Sequence, residues 1–273
     1  MAIRGLSPWR FCGSPEARNG RDFLKTGFKV ATILAFIMAY QMITFPVGSF
    51  QCNCSLIFDP QSKQCIVVDP GDDGQDILDI VTENGLKVRA LWHTHAHIDH
   101  IGATKELFQF IGEINRETGL PPPAVYLHEG DRWLYENVAL QSQFLGLAPF
   151  EVTSSFEPIT DGQTYEGLKG LKALHTPGHT PGSCCLAVHA ECEVEAPRGI
   201  AGNISQASRV VLSGDTLFRR SIGRTDLWGG NSEQIIRSIR GKLLNLDPNT
   251  LVIPGHGPVT KIEEEAEKNP FLS

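Results

Sequence analysis

The octapeptide His-Thr-His-Ala-His-Ile-Asp-His at positions 93–100 decides how this chain is interpreted. It comes directly after the apolar run Val88–Trp92, which predicts a buried strand, and just before a segment of helical periodicity. A loop at the carboxyl end of a strand projects its side chains into the crevice where α/β proteins bind ligands. Because neutral imidazoles and carboxylate oxygens are ligands of Zn²⁺ and Fe²⁺, the octapeptide predicts a metal site.

The spacing within the octapeptide allows two metal ions. His95 and His97 can serve one ion, while Asp99 and His100 turn toward a second. His93 precedes the repeating unit, so we expect it to pack or hydrogen-bond behind the ligands. A His-rich surface loop is the alternative, but solvated loops seldom concentrate such residues behind a buried strand.

Three single positions further along have similar surroundings. His179, Asp215 and His256 each follow a β-rich run, and each is directly preceded by glycine. Glycine permits tight turns that bring a side chain close to a metal, and nearby prolines stiffen such loops. Taken singly, each position is equally consistent with a turn residue.

With these three positions the sequence shows the pattern H-x-H-x-D-H … H … D … H, which resembles the metallo-β-lactamase-fold superfamily from about Gln41 onward. The resemblance implies an α+β fold, a four-layer αββα sandwich with its site at one edge of two sheets. It also implies two divalent ions, zinc by preference and otherwise iron or manganese. The implied ligands are His95, His97 and His179 for the first ion, Asp99, His100 and His256 for the second, and Asp215 as the bridge.

Within the superfamily, segments 212–218, 223–226 and 269–272 resemble the glyoxalase II group. That resemblance implies hydrolysis of S-D-lactoylglutathione to D-lactate and glutathione by a metal-bridging hydroxide, with Asp99 and Asp215 as catalytic carboxylates. Full-length glyoxalase II enzymes carry a helical, glutathione-binding domain where this sequence ends, 17 residues after His256. We therefore expect a compact branch of the group, and the resemblance implies that its substrate is a thioester derived from glutathione.

Arg224 stands where the resembling thioesterases place a basic residue for the glutathione moiety, so it is a candidate for binding a substrate carboxylate. An ion pair with Asp226 is the equally weighted alternative. The main rival function is a persulfide dioxygenase of the same fold, which also shows Gly-Arg-Thr-Asp after the bridging aspartate. Its single Fe²⁺ would be bound by His95, His179 and Asp215.

Two other functions are disfavoured by the sequence. Zinc β-lactamases often have a cysteine where Asp215 stands. A net charge of −7 and the lack of a basic-aromatic patch argue against a nucleic-acid partner.

Composition is that of an ordinary globular protein, with 273 residues, 41% of them hydrophobic and 20% charged. A chain of this length can bury a core without disulfide or metal staples. Seven cysteines without a paired CxxC pattern predict reduced, packed thiols and a reducing, cytoplasmic location.

Residues 1–38 are predicted to be an extension to a single hydrolase domain at 39–273. The extension is basic, and the apolar run Val30–Tyr40 is shorter than the roughly 20 residues of a membrane-spanning helix, so no stable span is expected. Two interpretations stay open: a disordered tail whose end becomes the first strand, or a leader that targets an organelle.

Periodicity and turn residues predict the secondary structure of the domain. The expected strands are Gln41–Phe45, Cys54–Phe58, Cys65–Val68, Val88–Trp92, Ala124–Leu127, Leu171–Leu174, Ser183–Val188, Arg209–Leu212 and Thr250–Ile253. The expected helices are Gln75–Glu83, Ala103–Thr118, Asp131–Leu140 and Ser232–Leu244, the last with Ser232 as N-cap. The polar stretch from Ala190 to Ser208 is predicted to be a loop.

Overall fold

The computed structural model describes residues 39–273 except 166, 190 and 196–208. The predictions for residues 1–38 fall outside these ranges. The strands are β1 Ala39–Val47, β2 Cys52–Phe58, β3 Gln64–Val68, β4 Lys87–Trp92, β5 Ala124–His128, β6 Glu157–Ile159, β7 Leu171–His175, β8 Cys184–Val188, β9 Glu191–Glu195, β10 Val210–Gly214, β11 Leu217–Phe218, β12 Ser221–Ile222, β13 Leu251–Pro254 and β14 Thr260–Lys261. The helices are α1 Gly74–Glu83, α2 Ile98–Ile101, α3 Thr104–Glu117, α4 Arg132–Glu136, α5 Val138–Leu145, α6 Ser232–Ser238 and α7 Ile262–Lys268, with a 3₁₀ turn at Glu129–Asp131 and a π-helical segment at Ile239–Leu243.

Two sheets form the centre of the fold. The first has the strand order β6-β5-β4-β3-β2-β1-β9, and the second has the order β14-β13-β10-β8-β7. Apolar side chains from both sheets, among them Ile57, Trp92, Leu186 and Ile253, form one buried cluster between them. The outer face of the first sheet packs against α1 and α3. The outer face of the second packs against α6, the π-helical segment and α7. The molecule is therefore the four-layer αββα sandwich that the family resemblance implies.

All nine predicted strands are present. The structure adds β6, β11, β12 and β14, which have two or three residues each, and the five-residue strand β9. The prediction of a loop throughout 190–208 is wrong at β9, which pairs in parallel with β1 at the edge of the first sheet. Its sequence Glu-Cys-Glu-Val-Glu is charged, as edge strands often are, so it lacks the apolar pattern that identifies central strands.

Two helix predictions are corrected. The predicted helix Asp131–Leu140 is divided at Asn137, whose side-chain amide donates to the backbone carbonyl of Trp133 at 2.8 Å. The N-cap of α6 is Asn231 and not Ser232, because the Asn231 side chain accepts a hydrogen bond from the Gln234 amide at 2.9 Å. Helix α7 was not predicted from the sequence.

The five cysteines whose side chains the structure describes are free and buried, as predicted. Cys54 and Cys65 pack beneath the helices on the first sheet. Cys184 and Cys185 point to opposite faces of the second sheet, one into each adjoining apolar cluster. Over the described part of the chain, none of the helices has the length and apolar character needed to cross a bilayer.

The strand directions bring several loops to one edge of the sandwich. In the second sheet β7, β10 and β13 run in the same direction, because β10 pairs in parallel with β13 and both β7 and β10 are antiparallel to β8. Backbone hydrogen bonds join the sheets at this edge, from Cys184 N to Thr94 O at 2.7 Å and from Asn53 N to Gly255 O at 2.7 Å. The loops that follow the strands are thus held between two rigid sheets.

We predict that the inter-sheet core provides most of the stability. Ile57 is fully buried in it, so Ile57→Ala should lower the free energy of unfolding by about 2–5 kcal/mol in urea denaturation. Ile114→Ala is the matched control, because Ile114 is 38% exposed on α3, and it should cost less than about 1 kcal/mol. Equal losses in the two variants would contradict this description of the core.

Candidate metal centre

The structure brings all seven predicted ligand residues together at the edge where the strands end. The octapeptide follows β4 and leads into α2, while His179, Asp215 and His256 lie in the loops after β7, β10 and β13. Three sets of donor atoms, each set within 4.8 Å, are formed by His95, His97 and His179, by His95, His100 and Asp215, and by Asp99, His100 and His256. Metal binding by these groups stays a prediction, but their convergence is a feature of the fold.

The first group of donors consists of three buried imidazoles. Nδ1 of His97 lies 3.1 Å from Nε2 of His95 and 2.9 Å from Nε2 of His179. Tetrahedral zinc with Zn–N bonds of about 2.0–2.1 Å separates its nitrogen ligands by about 3.3 Å. The three ring nitrogens therefore need only a small outward shift to hold a cation.

The second group lies on the other side of Asp215. Nε2 of His256 lies 3.2 Å from Nε2 of His100 and 3.1 Å from Oδ2 of Asp99. The Asp215 carboxylate faces both groups, with Oδ2 3.6 Å from His179 Nε2 and Oδ1 3.4 Å from His100 Nε2. Oδ1 is buried and makes no hydrogen bond. A buried carboxylate oxygen of this kind is normally satisfied, and a cation here would satisfy it, so the residues fit a pair of divalent ions.

Hydrogen bonds on the outer side of the rings fix which nitrogen faces inward. Nδ1 of His179 donates to the backbone carbonyl of Arg224 at 2.8 Å, and Nδ1 of His256 donates to that of Phe50 at 3.0 Å. A carbonyl oxygen only accepts, so Nδ1 carries the proton in both rings. The Nε2 lone pairs are consequently directed into the site, as metal ligation requires.

Asp69 supports the site and was missed by sequence reasoning. Its carboxylate accepts hydrogen bonds from His100 Nδ1 at 3.0 Å and from the Thr94 amide and hydroxyl, both at 2.7 Å. The Thr94 hydroxyl in turn lies 3.1 Å from Nδ1 of His95, so Asp69 orients a ring in each group. The position of Asp69 directly after the apolar strand β3 was the available indication.

Asp131 is a second buried carboxylate that sequence reasoning did not identify. It accepts from Ala96 N at 3.0 Å, from Thr180 Oγ1 at 2.7 Å and from Gly182 N at 2.6 Å. These bonds tie the octapeptide to the loop that carries His179. Burial raises the pKa of Asp131, and the three donors act against that rise. Thr94 and Thr180 thus fix the ligand loops by hydrogen bonds.

His93 lies outside the converging groups, as expected. It is fully buried, and its Nε2 lies 3.2 Å from the Thr104 hydroxyl. Burial lowers the pKa of His93 to about 4, so the ring is neutral at physiological pH.

The two halves of the site have different electrostatic character. Burial and the neighbouring rings hold the pKa of His95 well below its ordinary value and lower that of His97 to about 3. Burial acts in the same direction on His100, but its neighbours Cys52, Asp69, Asp99 and Asp215 outweigh burial and raise its pKa well above the usual range. The first half therefore offers neutral nitrogen donors, and the second attracts positive charge.

The aspartates remain ionised. Burial would raise the pKa of Asp215, but His100, His179 and His256 hold it well below its usual value. The pKa of Asp99 is also lowered, since the neighbouring rings of His100 and His256 exceed the effect of burial. Both carboxylates are thus available as anionic ligands over the whole physiological range.

The glycine before His256 is required by close approach. A Cβ atom at Gly255 would lie 2.2 Å from Oδ1 of Asp215 and 2.7 Å from Cε1 of His100. Any side chain at this position would displace the groups that converge there. The sequence-based reason for glycine beside the ligands therefore holds at this position.

The side chain of Arg224 makes no hydrogen bond to any of the seven converging residues and is bonded to Asp226 instead. It is 60% exposed and makes two hydrogen bonds to the Asp226 carboxylate, at 2.7 and 2.8 Å. The ion pair that the sequence offered as an alternative is therefore present. Only the backbone carbonyl of Arg224 contacts a candidate ligand, His179.

Comparison with known proteins agrees with this geometry. The family profile described as Metallo-beta-lactamase superfamily matches residues 47–191 and 204–256. The chain belongs to this superfamily of metallo-hydrolases.

Two relatives match this chain over nearly their whole length. A Bacillus subtilis protein described as the probable metallo-hydrolase YqgX is 36% identical over 233 residues, which is 84% of this chain and 95% of the relative. The hydroxyacylglutathione hydrolase GloC of Haemophilus influenzae is 36% identical over 234 residues, which is 84% of this chain and 96% of GloC.

Two solved structures share the fold. BLEG-1, a B3 metallo-beta-lactamase, is 30% identical with a TM-score of 0.67, covering 85% of this chain and 99% of its own. TTHA1623 in a di-iron-bound form is 34% identical with a TM-score of 0.65, covering 83% of this chain and 98% of its own.

We predict that Asp69 controls metal affinity without being a ligand. Asp69→Asn removes the charge and replaces one acceptor oxygen by an NH₂ group that faces donors, so zinc affinity should fall about 10–100-fold in a competition titration. Asp79→Asn, on the exposed face of α1, is the matched control and should bind zinc like the parent protein. Unchanged affinity in Asp69→Asn would disprove the role of this carboxylate.

Proposed function

We propose that this protein is a dinuclear metal-dependent hydrolase of thioesters, resembling hydroxyacylglutathione hydrolase and cleaving substrates such as S-D-lactoylglutathione in the cytoplasm. The observation that carries the proposal is the Asp215 carboxylate between two groups of donors, 3.6 Å from His179 Nε2 and 3.4 Å from His100 Nε2. The similarity to GloC supports the choice of a thioester. Zinc is the preferred metal, and the di-iron form of TTHA1623 makes iron the next candidate.

In the proposed assignment, His95, His97 and His179 would hold one ion, Asp99, His100 and His256 would hold the other, and Asp215 would be a ligand of both. When bound, such a pair of ions lowers the pKa of a water molecule to near neutrality and polarises a substrate carbonyl. The protein contributes fixed geometry: the inward lone pairs are set by the carbonyls of Arg224 and Phe50 and by Asp69. Rings and carboxylates held in this way need little rearrangement during the reaction.

The ionisation states suit hydrolysis of a thioester. Asp99 and Asp215 are anionic, because their histidine neighbours keep both pKa values low. Cleavage releases a thiolate, and since a thiol has a pKa of about 8–9, this leaving group departs without a dedicated general acid. An amide would need a proton donor for its departing nitrogen. The proposal therefore favours an activated acyl bond.

Persulfide dioxygenase activity is the second candidate, because the Gly-Arg-Thr-Asp segment at 223–226 also occurs in that group. Gly223 lies directly against Asp215, since a Cβ atom at Gly223 would lie 1.8 Å from the backbone oxygen of Asp215. Two histidines and one carboxylate, His95, His179 and Asp215, would be its iron ligands. The two functions differ in metal count and in oxygen use.

Elemental analysis with activity measurement tests the proposal. We expect two metal ions per chain and hydrolysis of S-D-lactoylglutathione. Asp215→Ala should lose bound metal, and its turnover should fall at least about 100-fold. Mutation of residues that only hydrogen-bond to metal ligands already lowers metal affinity or activity about 10–100-fold. One iron per chain, with oxygen uptake on glutathione persulfide and no thioester cleavage, would establish the dioxygenase instead.

A pair of variants tests whether Arg224 binds substrate. If the guanidinium binds a glutathione carboxylate, Arg224→Ala should raise KM about 10-fold with little change in kcat, because one charge-assisted hydrogen bond is lost. Asp226→Ala frees the guanidinium from its present partner, so KM should stay the same or fall. If both variants raise KM equally, Arg224 acts only through the ion pair.

A further inference from the structure

An apolar pocket adjoins the Asp99 side of the candidate metal centre. It encloses about 360 Å³, including its open mouth. Its apolar wall is formed by Val47, Phe50, Ile98, Leu147 and Phe150. Pockets of this kind, apolar with a few polar groups at one end, are typical of small-molecule sites. The proposed reaction leaves this pocket without an assigned role.

The pocket is built into the fold near the ligand residues. Phe50 lies in the turn between β1 and β2, and its carbonyl accepts the hydrogen bond from Nδ1 of His256. Ile98 lies between two candidate ligands, His97 and Asp99, at the start of α2. The pocket wall and the metal centre are therefore parts of the same rigid segments.

Phe150 closes the pocket from the other side. Its amide donates to the Ser142 hydroxyl at 3.3 Å, and its ring packs with Leu147 against the apolar cluster around Ile98. A Cβ atom at Gly102 would lie 3.0 Å from the Phe150 ring, so the ring rests directly on the α2 backbone. Phe150 and Leu147 thus have defined positions from which to contact a substrate.

The two sides of the centre differ in charge. The charged groups that line the pocket are carboxylates, Asp72 and Asp99. The His179 side carries Arg224, whose backbone oxygen is bonded to the His179 ring and whose guanidinium is balanced by the carboxylate of Asp226. A glutathione moiety is anionic at neutral pH, so its carboxylates are repelled from the pocket and meet less repulsion on the Arg224 side. With the thiol moiety placed there, the acyl group of the thioester extends toward the pocket.

We propose that this pocket receives the acyl chain and that the protein prefers thioesters with short apolar acyl groups to S-D-lactoylglutathione. This inference rests on the proposed thioesterase function. Phe150 and Leu147 would be the residues that determine specificity. The lactoyl hydroxyl would lose its hydrogen bonds to water on entering a pocket with an apolar wall, whereas each added methylene gains binding free energy from burial.

The experiment compares glutathione thioesters of acetate, D-lactate, butyrate and hexanoate with the metal-loaded full-length protein. We expect kcat/KM to rise about fourfold per methylene from acetyl to butyryl, and butyryl to exceed lactoyl. Phe150→Ala should reduce the increase to less than about twofold per methylene, because the chain loses its apolar contact surface. Phe110→Ala is the matched control, since Phe110 is 47% exposed on α3 and does not line the pocket, and it should keep the increase.

A second variant and a second substrate series keep the test decisive. Leu147→Trp fills the pocket and should lower the ratio of hexanoyl to acetyl kcat/KM below one, even if Phe150→Ala does not fold. A series of acetyl thioesters with thiols of increasing apolar length should show no comparable rise. A rise confined to the thiol series, or an acyl preference unchanged in both pocket variants, would overturn the inference. If no thioester is hydrolysed at all, the proposed function itself fails.

Discussion

The structure depends on a cluster of buried aspartate carboxylates and histidine rings. Few arrangements of such charged groups and nitrogen lone pairs are stable away from water. Asp69, Asp99 and Asp215 surround His100, whose ring has no exposed surface. Removing charges from water costs several kcal/mol per ion unless partners compensate for it. Here each carboxylate is directed at imidazole nitrogens, and one Asp215 oxygen makes no hydrogen bond at all. The arrangement is the one expected of a site whose compensating partners are cations.

The sandwich supplies the rigidity that such a site needs. Parallel strands of the second sheet deliver His179, Asp215 and His256 to one edge, and the first sheet delivers the octapeptide to the same edge. The loops are then fixed from behind by two buried carboxylates, Asp69 and Asp131, through hydrogen bonds of 2.6–3.0 Å. Ligand atoms positioned in this way are preorganised, so metal binding and catalysis need not order the loops.

The sequence predicted the strands and the candidate ligands because both have strong local patterns, and the family resemblance carried by those ligands implied the architecture. Apolar strands such as Val88–Trp92 are bounded by turn residues, and the octapeptide concentrates metal ligands that few loops contain. What it missed depends on tertiary contacts. Strand β9 is defined by pairing with the edge strand β1, and Asp69 gains its role only where Thr94 and His100 come near it. The Arg224 side chain is ambiguous for the same reason, since an exposed ion pair has little effect on stability and is no guide to function.

The central claim is that Asp215 lies between two cations. Crystals grown with zinc, measured at the zinc absorption edge, test it directly. We predict two anomalous peaks, one among His95, His97 and His179, the other among Asp99, His100 and His256, with an Asp215 oxygen about 2.0–2.2 Å from each. A single peak, or two peaks with Asp215 bonded to neither, would contradict the account.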